Sequence, residues 1–122
     1  MTMNAQQKTP KEKPSPHKNK NSALGNFVIY IITVFEEIFK FGKADADRVT
    51  QSSGLPTRVH QQLRKLKEIY GEQAVDAETI ADLFGITTAE AKELEKANLQ
   101  DFFEANEYVP KGNEKSFKPK KK

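Results

Sequence analysis

Arg58, His60, Gln61, Arg64, Lys65 and Lys67 fall within ten residues of one another, and they are the side chains in this chain best suited to an anionic partner. Guanidinium and ammonium groups pair with phosphate oxygens, and Arg or Gln can also read base edges through paired hydrogen bonds. Such groups on one helix therefore suit a nucleic-acid partner. Nothing comparable points to catalysis. The two histidines, His17 and His60, have no neighbouring carboxylate or thiol pattern that would make a triad or a metal site. There is no Gly-rich phosphate loop, and the chain has no cysteine, which excludes disulfide scaffolds and zinc clusters. The expectation is a non-enzymatic protein with no catalytic residue, no metal and no cofactor.

These basic residues need an element to carry them. Gly54-Leu55-Pro56 reads as a loop ending at a helix start, because proline suits the first helical turn. From there Val59, Leu63, Leu66 and Tyr70 form an apolar stripe, the basic residues make much of the remainder, and Gly71 is a natural stop. Upstream, Leu24, Phe27, Val28, Ile31, Phe35, Ile38 and Phe39 follow the recurrence of one helical face. Their β-branched neighbours would also suit a strand, but the length of the run favours a helix. Downstream, Asp76 can cap a helix ending at Gly85, and Thr87 with Glu90 makes a capping box for the next. Ala81 and Gly85, with Ile80, Phe84, Ile86, Ala91 and Leu94 around them, have the spacing of a helix-turn-helix over about 76–97. Leu99, Phe102 and Phe103 supply a last apolar contact.

The fold class expected from these elements is all-α, a small domain of about four helices over residues 23–106. Residues 1–22 hold five Lys and one Glu, and residues 107–122 six Lys and two Glu, so each end carries +4 against −5 for the middle, which sums to the net +3 of the whole chain. Both ends are poor in apolar residues and are expected to be disordered basic tails. The apolar run Phe27 to Phe35 is much shorter than the roughly 20 residues a membrane span needs. No membrane association is expected, and a cytoplasmic location is.

Three stretches, FVIYIITVFEEIFKF, GLPTRVHQQLRKLKEIYG and DAETIADLFGITTAEAKELEKA, together resemble bacterial RNA polymerase sigma factors of the sigma-seventy family, specifically the end of domain two plus domain three. The resemblance runs from about Phe27 to about Lys96. It implies that Arg58 and Gln61 face the major groove just upstream of the minus-ten element and that Arg64 and Lys65 are available to phosphates, which makes these four the candidate DNA-binding residues, and that promoter duplex DNA and bacterial RNA polymerase are the partners. Phe27 and Tyr30 match aromatic positions near that family's strand-opening surface. Thr33, Val34, Phe35, Glu36 and Glu37 stand where the family has a tryptophan pair and an arginine, so core packing is expected of Phe27 and Tyr30. Glu90, Glu93 and Glu95 outnumber Lys92 and Lys96 on the second helix of the motif, which makes it a poor reader of DNA by itself. No match to the polymerase-clamp helices or to the fourth domain is visible, so a complete initiation factor is not expected. The leading expectation is a truncated or divergent sigma-like transcription protein. The alternatives are a free-standing helix-turn-helix regulator, and an adaptor that binds polymerase, a sigma factor or an anti-sigma factor.

Overall fold

The computed structural model describes residues 23–121; the expected N-terminal tail, 1–22, lies outside the described residues. The first element is a strand, β1 (Leu24–Val34), not a helix. Its run of Val28, Ile29, Ile31, Ile32, Thr33 and Val34 favours extended backbone. Phe27, Val28, Ile29 and Tyr30 are buried one after another, as is Ile32. Successive burial is what a central strand covered on both faces requires, and over a short run it cannot be told from a buried helix by periodicity alone. Phe35 and Glu36, at φ 51° and 68°, turn the chain back into β2 (Glu37–Asp45). Positive φ at both central residues matches the twist of a tight hairpin. β1 and β2 pair antiparallel with Tyr30 opposite Gly42.

After a loop comes α1 (Thr57–Tyr70), with Pro56 at its N-cap and Gly71, φ 104°, at its end. Its stripe of Val59, Leu63, Leu66 and Tyr70 packs on the sheet as the sequence spacing requires. A 3-10 turn at Glu72–Ala74 leads into β3 (Val75–Thr87), which pairs antiparallel with β1 and completes a sheet of order β2-β1-β3. The last helix, α2 (Thr88–Asn106), opens on the expected capping box: Glu90 N–H donates to Thr87 Oγ1 at 3.0 Å and Thr87 N–H to Glu90 Oε1 at 2.8 Å.

The fold is therefore α+β, a three-stranded antiparallel sheet with two helices, and the all-α expectation is corrected. So is the helix-turn-helix over 76–97. Residues 75–84 follow a period of two, interrupted once: Val75, Ala77, Ala81 and Leu83 are covered, Asp76, Glu78, Ile80, Asp82 and Phe84 are exposed, and Thr79 is exposed where the ladder to β1 slips. Gly85 does take a positive φ, 64°, but within a strand. Ladder register slips between Gly25 and Phe27 opposite it, and a left-handed glycine suits such a bulge. With the helix-turn-helix goes the strongest part of the sigma-factor resemblance.

The sheet is covered on both faces. Val28, Tyr30, Ile32, Ala44 and Val75 pack against Val59 and Leu63 of α1, and Phe41 packs against Leu99 of α2 and Phe117. Phe117, Pro110 and Asn113 are all buried, so residues 107–121, expected to be a disordered tail, belong to the fold. A 3-10 turn at Lys111–Asn113 brings Asn113 to β2, where its amide accepts from Phe41 N–H at 2.9 Å and donates to Phe41 C=O at 3.0 Å. Two backbone groups of an edge strand are thus satisfied by a side chain that imitates a neighbouring strand. Among the described residues no helix is long and apolar enough to cross a membrane.

Candidate functional site

Tyr30 shares a sheet face with Val28 and Ile32 and points toward α1, where Gln62 meets its hydroxyl. A buried tyrosine must place its O–H on a partner; Tyr30 Oη donates to Gln62 Oε1 at 2.7 Å. Arg58, one helical turn before Gln62, also reaches the phenol oxygen. The spacing of four puts both side chains on the same side of α1. Burial pushes the Tyr30 phenol up to about 12, against the pull of the Arg58 guanidinium. The phenol is therefore neutral at physiological pH.

The other strands and helices add charge. Burial raises the Glu95 carboxyl of α2 above its ordinary value, while Lys43, Lys40, Arg58 and Lys92 pull it back down. Lys40 and Lys43 of β2 are half-buried, and burial lowers both ammonium groups, with Glu95 opposing. Lys43 Nζ also stands 5.4 Å from the centre of the Phe27 ring. By register Lys40 is opposite Ile32 and Lys43 opposite Ile29, on the two faces of the sheet. Because β2 is an edge strand, long side chains from either face can converge at that edge. Four elements thus bring a phenol, an amide, a carboxylate and several cations into one electrostatic neighbourhood.

Of the four candidate DNA-binding residues, Arg58 belongs to this cluster. Gln61 and Lys65, exposed on α1, continue the side of the helix that Arg58 occupies, Lys65 lying two turns on. Arg64, also exposed, is rotated from Arg58 by about 120° at 3.6 residues per turn. His60 is apart from the cluster, its Nδ1 3.0 Å from Ser53 Oγ. Among the described residues no three His, Asp or Glu side chains gather as a metal-binding group.

Sequence reasoning places Tyr30 in the core, where it is, and overlooks its hydroxyl. It also passes over Lys40, Lys43, Gln62 and Glu95. One signal is available in the sequence: a lone phenol inside an aliphatic strand needs a polar partner from another element. No protein-family model, curated protein or solved structure matches this chain.

Proposed function

We propose that the chain binds nucleic acid through the side of α1 that Arg58 begins and the neighbouring edge strand β2. The observation that carries this reading is the row of exposed side chains Arg58, Gln61 and Lys65 along one side of α1, with half-buried Lys40 and Lys43 of β2 near enough to Arg58 to feel its charge. Glu95 and Asp45 offset part of that charge, and the remainder attracts a polyanion.

The protein groups have separable tasks. Arg58 offers the planar fork that matches two phosphate oxygens. Lys40 and Lys43 add positive charge at the same edge, and Lys65 continues the row along α1. Tyr30 is 1% exposed and serves the core, its hydroxyl held by Gln62.

Titration of labelled DNA and RNA strands at several salt concentrations tests the proposal. Arg58→Ala should weaken binding and lower the magnitude of the log-affinity against log-salt slope by up to about 0.9 for one lost phosphate contact. Binding that ignores Arg58→Ala would remove this surface from the interface, and no binding at all would remove the reading.

A further inference from the structure

We propose that residues 110–121 are a cationic strap that carries the nucleic-acid interface across the β2 edge, with Lys111, Lys115 and Lys118 on phosphates. This rests on the reading of α1 and β2 as a nucleic-acid surface. Pro110, Asn113 and Phe117 are buried while Lys111, Lys115 and Lys118 are exposed, so one set of side chains fastens the segment and the other is open to a partner. The strap lies directly on β2. Asn113 holds both backbone groups of Phe41, Phe117 packs with Phe41, and a Cβ at Gly112 would stand 2.9 Å from the Phe39 ring and 3.0 Å from Lys40 Cβ. Glycine at 112 thus lets the strap pass close against the strand that supplies Lys40 and Lys43, and brings Lys111 beside them.

The far end is held as well. Gln100 of α2 donates from Nε2 to Lys120 C=O at 3.0 Å and accepts from Lys120 N–H at 3.0 Å, the same two-point grip that Asn113 has on Phe41. Over residues 107–121 five lysines stand against Glu107 and Glu114, so the strap is positive. A lysine on a loose tail loses freedom when it meets a phosphate, which weakens binding; a backbone fastened at Asn113, Phe117 and Lys120 has already given up much of that freedom on folding. Lysine lacks the planar fork of arginine, so the strap adds attraction and register on the phosphate backbone without reading bases.

Titration of a labelled DNA strand at several salt concentrations, with the full chain, tests the idea. Lys111→Ala, Lys115→Ala and Lys118→Ala should each lower the magnitude of the log-affinity against log-salt slope by up to about 0.9, while Lys96→Ala, which removes the same charge from an exposed position on α2, should leave it nearly unchanged. Gln100→Leu keeps every charge of the strap and removes the grip on Lys120. It should weaken binding by between about twofold and tenfold, the scale of ordering one long side chain or a short loop, with the slope unchanged. Gln100 is partly exposed, so the core of Phe41, Leu99 and Phe117 under the strap stays intact. Lysine variants with the parent's slope, a Lys96→Ala effect equal to theirs, or a Gln100→Leu affinity equal to the parent's overturns the strap and leaves the α1 surface standing. A parent chain that binds no DNA or RNA strand overturns the nucleic-acid reading and this inference with it.

Discussion

Gly42 stands directly opposite Tyr30 in the β1–β2 ladder, and the Tyr30 ring occupies the space a side chain at position 42 would fill. A Cβ there would overlap Tyr30 Cζ and Oη. Glycine at this position is a packing requirement of the phenol. Gly42→Ala should destabilise the fold by roughly 1–3 kcal/mol, the usual cost of overpacking. Urea unfolding checks this; an unchanged midpoint would mean that the ring is free to move aside.

Asn113 holds the other side of β2. Its amide is 1% exposed and serves both backbone groups of Phe41. Asn113→Leu orphans a buried N–H and a buried C=O, at roughly 1–3 kcal/mol each. Chemical denaturation should show a large loss, and hydrogen exchange should show Phe41 N–H losing protection before the β1–β3 ladder does. Equal protection at Phe41 in parent and variant would contradict the strand-imitating role.

Nucleic acid should follow the row of α1 that starts in the cluster. Lys65 continues the Arg58 side and Arg64 is turned away, although both are exposed. Lys65→Ala should lower the magnitude of the log-affinity against log-salt slope by up to about 0.9, the value for one lost phosphate contact. Arg64→Ala should change it less. Binding titrations at several salt concentrations decide the order, and a larger effect from Arg64 would move the interface to another face of the helix.

The pH dependence of nucleic-acid binding has a defined sign. Lys40 and Lys43 are lowered by burial, so binding should begin to weaken on the alkaline side below the ordinary lysine range. Tyr30, pushed up to about 12, adds no limb there. Affinities measured between about pH 7 and 11 check this; binding that holds constant up to the ordinary lysine range would take Lys40 and Lys43 out of the interface.

Much of α1 is legible in the sequence because its signals are local. Pro56, the Val59–Leu63–Leu66–Tyr70 stripe and Gly71 each act within a few residues, and the capping box of Thr87 and Glu90 spans three. The sheet is not legible in the same way, because the burial of β1 on two faces depends on α1, α2 and residues near 117. Successive apolar residues from Phe27 onward satisfy a helical period and a buried strand equally well. Gly85 is recognisable as a left-handed position, but φ alone does not say whether it bends a strand or turns a helix pair. The cluster is obscured for a related reason. Tyr30, Lys40, Gln62 and Glu95 are far apart in sequence, and each has an ordinary role on its own: a core aromatic, a strand lysine, a helix amide, a helix acid. Arg58 can be singled out because its basic neighbours share its helix.

Glu95→Gln tests the central claim most directly when stability and nucleic-acid binding are measured on the same variant. A carboxyl whose folded value is raised contributes stability below the ordinary carboxylate range and loses it as pH rises through the raised value. Glu95→Gln keeps the shape of the side chain and removes its titration, so its melting temperature should gain on the parent's as pH rises through that value. Removing a negative charge near Lys43, Lys40 and Arg58 should also tighten binding of a labelled DNA strand at low salt. Weaker or unchanged binding would contradict the account.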